Sequence, residues 1–196
     1  MAFQITDFTT RLKGDGARPN LFQVSMPAIP IAGAPDKLQF MAKSAQLPGS
    51  TLGIVPMYYF GREMKFAGNR TFADWTITII NDEDFLIRNS FESWMNSINT
   101  HETNVRTTDG GVGSAGGQAK IPYTLDALVY QYGKGGPTGD AAKVIKSYNF
   151  VGMFPVDLSP IDLDWGTNDT IEEFTVTFAY QYWTTGTDGK STGLTT

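Results

Sequence analysis

Trp75-Thr76-Ile77-Thr78-Ile79 places every apolar side chain on one face and every threonine on the other, and a helix signal follows with no spare loop. Strict period-two alternation of aromatic and β-branched residues is the sequence form of a half-buried strand. Upstream, Arg62 to Ala67 alternates Met64 and Phe66 against Glu63 and Lys65. Between these runs lies Gly68-Asn69-Arg70-Thr71, which reads as a turn because Gly and Asn both tolerate positive φ. Downstream, Asn81 or Asp82 caps a helix predicted over about residues 82–99. Asp82, Glu83 and Asp84 set negative charge on its first turn, where the helix dipole favours it. Ile87, Phe91, Trp94, Met95 and Ile98 recur at three- and four-residue spacing, which gives one apolar stripe. Phe85 projects from the other side of that helix, so it is read as an inter-subunit contact.

The flanking chain repeats the β theme. Residues 1–16 carry Phe3, Ile5, Phe8 and Leu12, a pattern for an edge strand or a docked helical turn. Ala17 to Met26 reads as a strand opening after Pro19, and residues 27–37 as a Pro/Gly loop. From Leu38 to Leu47 alternation resumes, so residues 38–67 are predicted to form a long hairpin with its tip at 47–57. Such a tip, with Leu47, Leu52, Ile54 and Val55, is too apolar for solvent alone and is a predicted contact surface. On the same reading Gln39, Lys43, Glu63 and Lys65 occupy the polar positions of the hairpin. Residues 101–120 are Gly-rich and aperiodic, a flexible surface loop. Tyr123 to Tyr132 and Lys143 to Met153 form another hairpin, and Phe174, Val176, Phe178, Tyr180 and Tyr182 share one face of a last strand. The division that results is a single domain over 1–183 and a polar, loosely placed tail over 184–196.

Aromatic and Thr-rich alternating runs favour strands, so the fold class is mainly β with one principal α-helix. A net charge of −5 with no Lys/Arg run argues against a grip on nucleic-acid phosphates. With no cysteine, disulfides and thiolate metal sites are excluded. The N-terminal stretch lacks a signal-peptide pattern and no apolar run approaches the roughly 20 residues that span a bilayer. The expectation is a soluble protein made in a cytoplasm, without membrane insertion.

Motifs for chemistry are weak. Gly111-Val112-Gly113-Ser114-Ala115-Gly116 matches the dinucleotide fingerprint in letters, but no strand precedes it and Pro122 closes it. Asp162 to Glu173 partly imitates a calcium loop, yet its glycine is one place early and position five lacks an oxygen side chain. A turn held by Asx hydrogen bonds accounts for it better. His101 is the only histidine, too few for a zinc site or a triad. No cofactor, no metal and no enzyme are expected. A small-ligand β-barrel would need a deep pocket inside one subunit, and a cell-wall hydrolase would need paired carboxylates across a cleft.

Several stretches together resemble the tail tube proteins of contractile-tailed (myovirus) bacteriophages, the major inner tube subunits. The residues that carry the likeness are Ala17 to Val24, Ala45-Gln46-Leu47-Pro48, Lys65 to Asp82, Gly152-Met153-Phe154-Pro155, Leu163-Asp164-Trp165 and the strand through Trp183. The resemblance implies a β-sandwich or barrel-forming domain with one flanking α-helix, in hexameric rings whose inner sheets join into a continuous barrel. The rings would stack into a hollow tube, with Leu47, Leu52, Ile54 and Val55 at the ring-stacking contact and Gln39, Lys43, Glu63 and Lys65 facing the lumen. DNA and the tape-measure protein would pass through without sequence-specific binding. A contractile sheath would surround the tube, and baseplate and tail-terminator proteins would close its ends. It further implies a virion location after assembly in a host cytoplasm. The tube of a type VI secretion or other contractile injection system, such as the haemolysin-coregulated protein, is the alternative with the same architecture.

Overall fold

In chain order the elements are α1 (Ile5–Arg11), β1 (Phe22–Ser25), α2 (Ala34–Met41), β2 (Ala42–Ala45), β3 (Thr51–Tyr59), β4 (Arg62–Thr71) and β5 (Trp75–Ile80). There follow α3 (Leu86–Ile98), β6 (Leu125–Tyr132), β7 (Val144–Leu158), β8 (Glu173–Ala179), β9 (Tyr182–Thr187) and β10 (Lys190–Ser191). This computed structural model describes residues 5–12, 16–101, 123–134, 144–187 and 190–191.

The alternating runs become antiparallel partners, and one strand turns the sheet into a sandwich. The path β1-β6-β7-β8-β5-β2 is continuous, with β9 on β7 and β10 on β9. Strand β7 is 15 residues long. Its first part pairs with β6 and β9, while Phe154 to Leu158 pair with β8. The bend falls at Gly152, whose φ of 66° is left-handed and whose N–H donates to Asp126 Oδ1 at 3.1 Å. A Cβ there would lie 2.9 Å from Gln181 Cγ, so only glycine suits the corner. Across it the two leaves face each other, and the Trp75 and Phe150 rings stack at 4.4 Å.

Within β5 the burial alternates residue by residue, with Trp75, Ile77 and Ile79 inside, and β8 does the same with Phe174, Val176 and Phe178. Their register sets Trp75 opposite Phe178 and Ile79 opposite Phe174. Helix α3 closes this core. Phe91 and Trp94 reach Phe178 at 5.7 and 6.2 Å, and Trp94 Nε1 donates to the Tyr123 carbonyl at 2.9 Å. The fold is therefore mainly β with a helix on its flank, as the periodicities imply.

Local chemistry departs from the sequence expectation in several places. Helix α3 starts at Leu86 rather than Asp82. The Asp82 carboxylate accepts the Glu83 N–H at 2.8 Å and Asp84 accepts the Leu86 N–H at 3.0 Å, so the acidic run forms the turn that precedes the helix. Residues 38–47 are not one strand: α2 occupies Ala34–Met41 before the short β2. Gly33 in the left-handed region and Pro35 in the first turn start that helix, and Ala34 with Leu38 bury its face. Gly68-Asn69-Arg70-Thr71 is no turn but part of β4. The hairpin tip is Phe60-Gly61, not 47–57, and both tip residues have positive φ, the requirement of a two-residue turn between twisted strands. At the C-terminal end the strand breaks after Ala179, and Tyr180 packs its ring on Phe150 at 5.0 Å. Tyr182 to Gly186 then pair with β7, so the sheet continues past 183 into the polar run. Of the 101–120 loop only His101 is described, and Gly111 to Gly116 lie outside the described residues.

Candidate functional site

Strands β3 and β4 form a two-stranded sheet of their own, apart from the sandwich. Every residue of β3 is exposed, and in β4 only Gly68 is partly covered. Register assigns the faces. Val55 opposite Phe66, Met57 opposite Met64 and Tyr59 opposite Arg62 make one side almost wholly apolar. Ile54 opposite Ala67, Pro56 opposite Lys65 and Tyr58 opposite Glu63 make the other side mixed. At the root Gly53 faces both Gly68 and Asn69 across a register shift. A Cβ on Gly68 would meet the Gly53 carbonyl at 3.1 Å, so the close approach of two backbones explains the glycine pair.

An isolated two-stranded hairpin is at best marginal in water, and its apolar side gains nothing until something covers it. Val55 is 54% exposed, Met57 56% and Phe60 at the tip 92%. A contiguous apolar patch of this kind marks an interaction surface. The ribbon is thus a finished backbone with an unfinished core.

A second feature lies at the entry to α3. Met41, Ile80, Phe85 and Ile171 line an open cleft, together with the carboxylates of Asp82, Glu83 and Glu172. Phe85 has φ 51°, a rare conformation for a bulky residue, and is 39% exposed. The cleft is braced by Lys37, whose Nζ lies 2.6 Å from Asp82 and 2.5 Å from Asp84. Hydrogen bonds from Lys37, then from the backbone N–H groups of Glu83 and Leu86, hold the two carboxyls below the ordinary aspartate range. Hydrogen bonds to the same aspartates raise the lysine. A lowered acid stabilises the fold above its unfolded value and loses that contribution as pH falls through the lowered one; a raised base does the reverse. The clamp is therefore fully formed between the unfolded values of 3.8 and 10.5 and fails on either side. The thermal midpoint of Lys37→Met is expected to lie below that of the parent at neutral pH, with the gap closing as pH falls below 3.8. Melting curves across that range check it; a pH-independent gap would show that the aspartates are not involved.

The remaining predicted positions fall on different elements. Gln39 sits on α2, where its Oε1 accepts from Gln23 Nε2 at 2.6 Å, and the Tyr132 hydroxyl donates to Gln23 Oε1 at 2.5 Å. Lys43 is on β2, with its Nζ 2.5 Å from Glu173 Oε1. Glu63 and Lys65 lie on the mixed face of the ribbon. The proposed lumen set is thus split, because the hairpin that was to carry all four residues begins at Thr51 rather than at Leu38. Leu47 is in the loop before β3, while Leu52, Ile54 and Val55 are on β3 itself, all half exposed or more. The sequence places Met64 and Phe66 at the apolar positions of an alternating strand; in the single chain both are exposed and complete the apolar face. Leu163 and Trp165, to which the sequence assigns no contact role, stand out at 82% and 102% exposure beside a turn in which the Gly166 N–H donates to Asp164 Oδ1 at 3.0 Å. That Asx bond is the turn chemistry favoured over a calcium loop. Among the described residues no cluster of His, Asp or Glu could hold a metal ion.

A sandwich whose main exposed feature is an uncovered apolar ribbon defines a structural subunit completed by other chains. The comparisons say which one. The family model for the phage tail tube protein matches residues 17–186. The tail tube protein gp19 of Enterobacteria phage T4 is 35% identical over 170 residues, 87% of this chain and 92% of that protein. The tail tube protein of Serratia phage KSP90 is 27% identical over 141 residues, 71% of this chain and 70% of that one. In fold, a chain of the anti-feeding prophage baseplate superposes with a TM-score of 0.59 at 13% identity, covering 89% of this chain and 98% of that chain. A chain of the sheath–tube complex of an extracellular contractile injection system gives 0.56 at 14% identity, covering 95% and 99%. The chain belongs to the phage tail tube protein family, and its role is structural.

Proposed function

We propose that this chain is the major subunit of the inner tube of a contractile phage tail. Copies close into hexameric rings, and the rings stack into a hollow tube that conducts DNA and encloses the tape-measure protein. A contractile sheath surrounds it, with baseplate and terminator proteins at the ends. The observation that carries this reading is the β3–β4 ribbon, which has a complete backbone ladder and no cover for Val55, Met57, Met64 and Phe66. Contact between neighbouring copies would bury that face, and a head-to-tail contact that closes on itself gives a ring. Leu47, Leu52, Ile54 and Val55 are assigned to stacking, and Phe85 to a contact between subunits. The mixed face with Glu63 and Lys65 is the candidate for the lumen, and a surface without a basic run lets a duplex slide. The subunit carries out no catalysis. Assembly takes place in the host cytoplasm, and the product is part of the virion.

Similarity in fold to the injection-system chains supports a second reading, a tube of a non-phage contractile injection machine. Purified particles distinguish them, since a phage tail is attached to a DNA-filled head. Sedimentation or native mass measurement tests the subunit reading itself. A hexameric ring species that grows with concentration is expected. A monomer at every concentration would overturn it.

A further inference from the structure

Helix α1 has an apolar side with nothing on it. Ile5, Phe8 and Leu12 are 83%, 67% and 42% exposed, and none of the helix is buried. Their three- and four-residue spacing puts all three on one stripe, with Asp7 on the far side and Arg11 at the flank. Among the described residues α1 packs on no other element. It also lies outside residues 17–186, the part of the chain that the family model covers. A seven-residue helix has little stability by itself, so its stripe implies a partner that orders it.

The Phe85 cleft has the complementary make-up. Its lining brings together the apolar Met41, Ile80, Phe85 and Ile171, and Glu83 beside them offers a carboxylate to a cation such as Arg11. In its own chain α1 packs on no other described element, so a neighbouring molecule is taken as the donor of the helix.

We propose that α1 of one subunit docks its Ile5–Phe8–Leu12 stripe into the Phe85 cleft of a second copy, with Arg11 meeting Glu83. This rests on the tube reading and names the segment that covers Phe85. The contact adds a strap outside the part shared with the family, and it links subunits without using the β3–β4 ribbon.

Because the chain has no cysteine, an engineered pair reports on one contact alone. In assembled tubes, Phe8→Cys with Ile171→Cys is expected to oxidise to a ladder of linked chains on a non-reducing gel. Thr10→Cys with Ile171→Cys, on the opposite side of α1, is expected to stay single, because disulfides demand Cα atoms about 4.4–6.8 Å apart. No ladder from the first pair in well-formed tubes overturns the proposal, as does a cross-link closed within one chain. Charge exchange gives an independent reading. Arg11→Glu should lower the temperature at which tubes dissociate, and adding Glu83→Arg should restore it; absence of both effects counts against the contact. Failure of the parent chain to form tubes at all is seen separately in the micrograph and bears on the tube reading instead.

Discussion

Val55→Asp is expected to leave the monomer folded and abolish tube formation. In the single chain Val55 is 54% exposed on a ribbon that adds nothing to the sandwich core, so a carboxylate there remains hydrated. Surface changes of that kind stay within about 0.5 kcal/mol of the parent. In a tube the same side chain, beside Met57 and opposite Phe66, would carry its charge into an apolar contact. The effective penalty for burying an unpaired charge is several kcal/mol, and each 1.4 kcal/mol is about a tenfold change in an association constant. Every subunit bears the same substitution, so the concentration needed for assembly should rise by about 100-fold or more. Ile54→Asp lies on the mixed face near Lys65 and should weaken assembly less. Pelleting assays against concentration, with a melting curve of the monomer, give both numbers. Normal tubes at parental concentration would show that the apolar face is not the contact.

Phe178→Ala is expected to have the largest effect on folding. The ring is fully buried and meets Trp75 at 5.7 Å on β5 and both Phe91 and Trp94 on α3. It joins the helix to the sheet, and its removal takes a ring contact from each of three large aromatic side chains. Phe→Ala changes in cores cost about 3–5 kcal/mol, against a typical total of about 5–15 kcal/mol. The denaturant midpoint should therefore drop by a large fraction or the cooperative transition vanish. A loss below about 1 kcal/mol would mean that the core collapses around the gap more completely than close packing allows.

How far the sequence shows the fold depends on where each element finds its partner. Strands β5 and β8 are legible because Trp75, Ile77 and Ile79 and their partners Phe174, Val176 and Phe178 bury one face within the same chain. The stripe of α3 is legible for the same reason. Helix α2 is hidden, since Gly33 and Pro35, which start it, are the residues that also announce a loop. Gly68 and Asn69 carry turn chemistry that the fold uses for a bulge, where two backbones approach closely. The corner at Gly152 and the pairing of Thr184 to Gly186 are long-range facts with no local pattern. At the assembly surface the alternation of Met64 and Phe66 is true β patterning. Among the described residues nothing covers that face, so the pattern alone does not place it in a core.

End-on and side-view electron microscopy of the purified chain at assembly concentration tests the central claim most directly. A hollow tube of stacked hexameric rings, with each β3–β4 ribbon covered by neighbouring copies, is the predicted result. Single particles with the ribbon bare at every concentration, or filaments without a central channel, would contradict it.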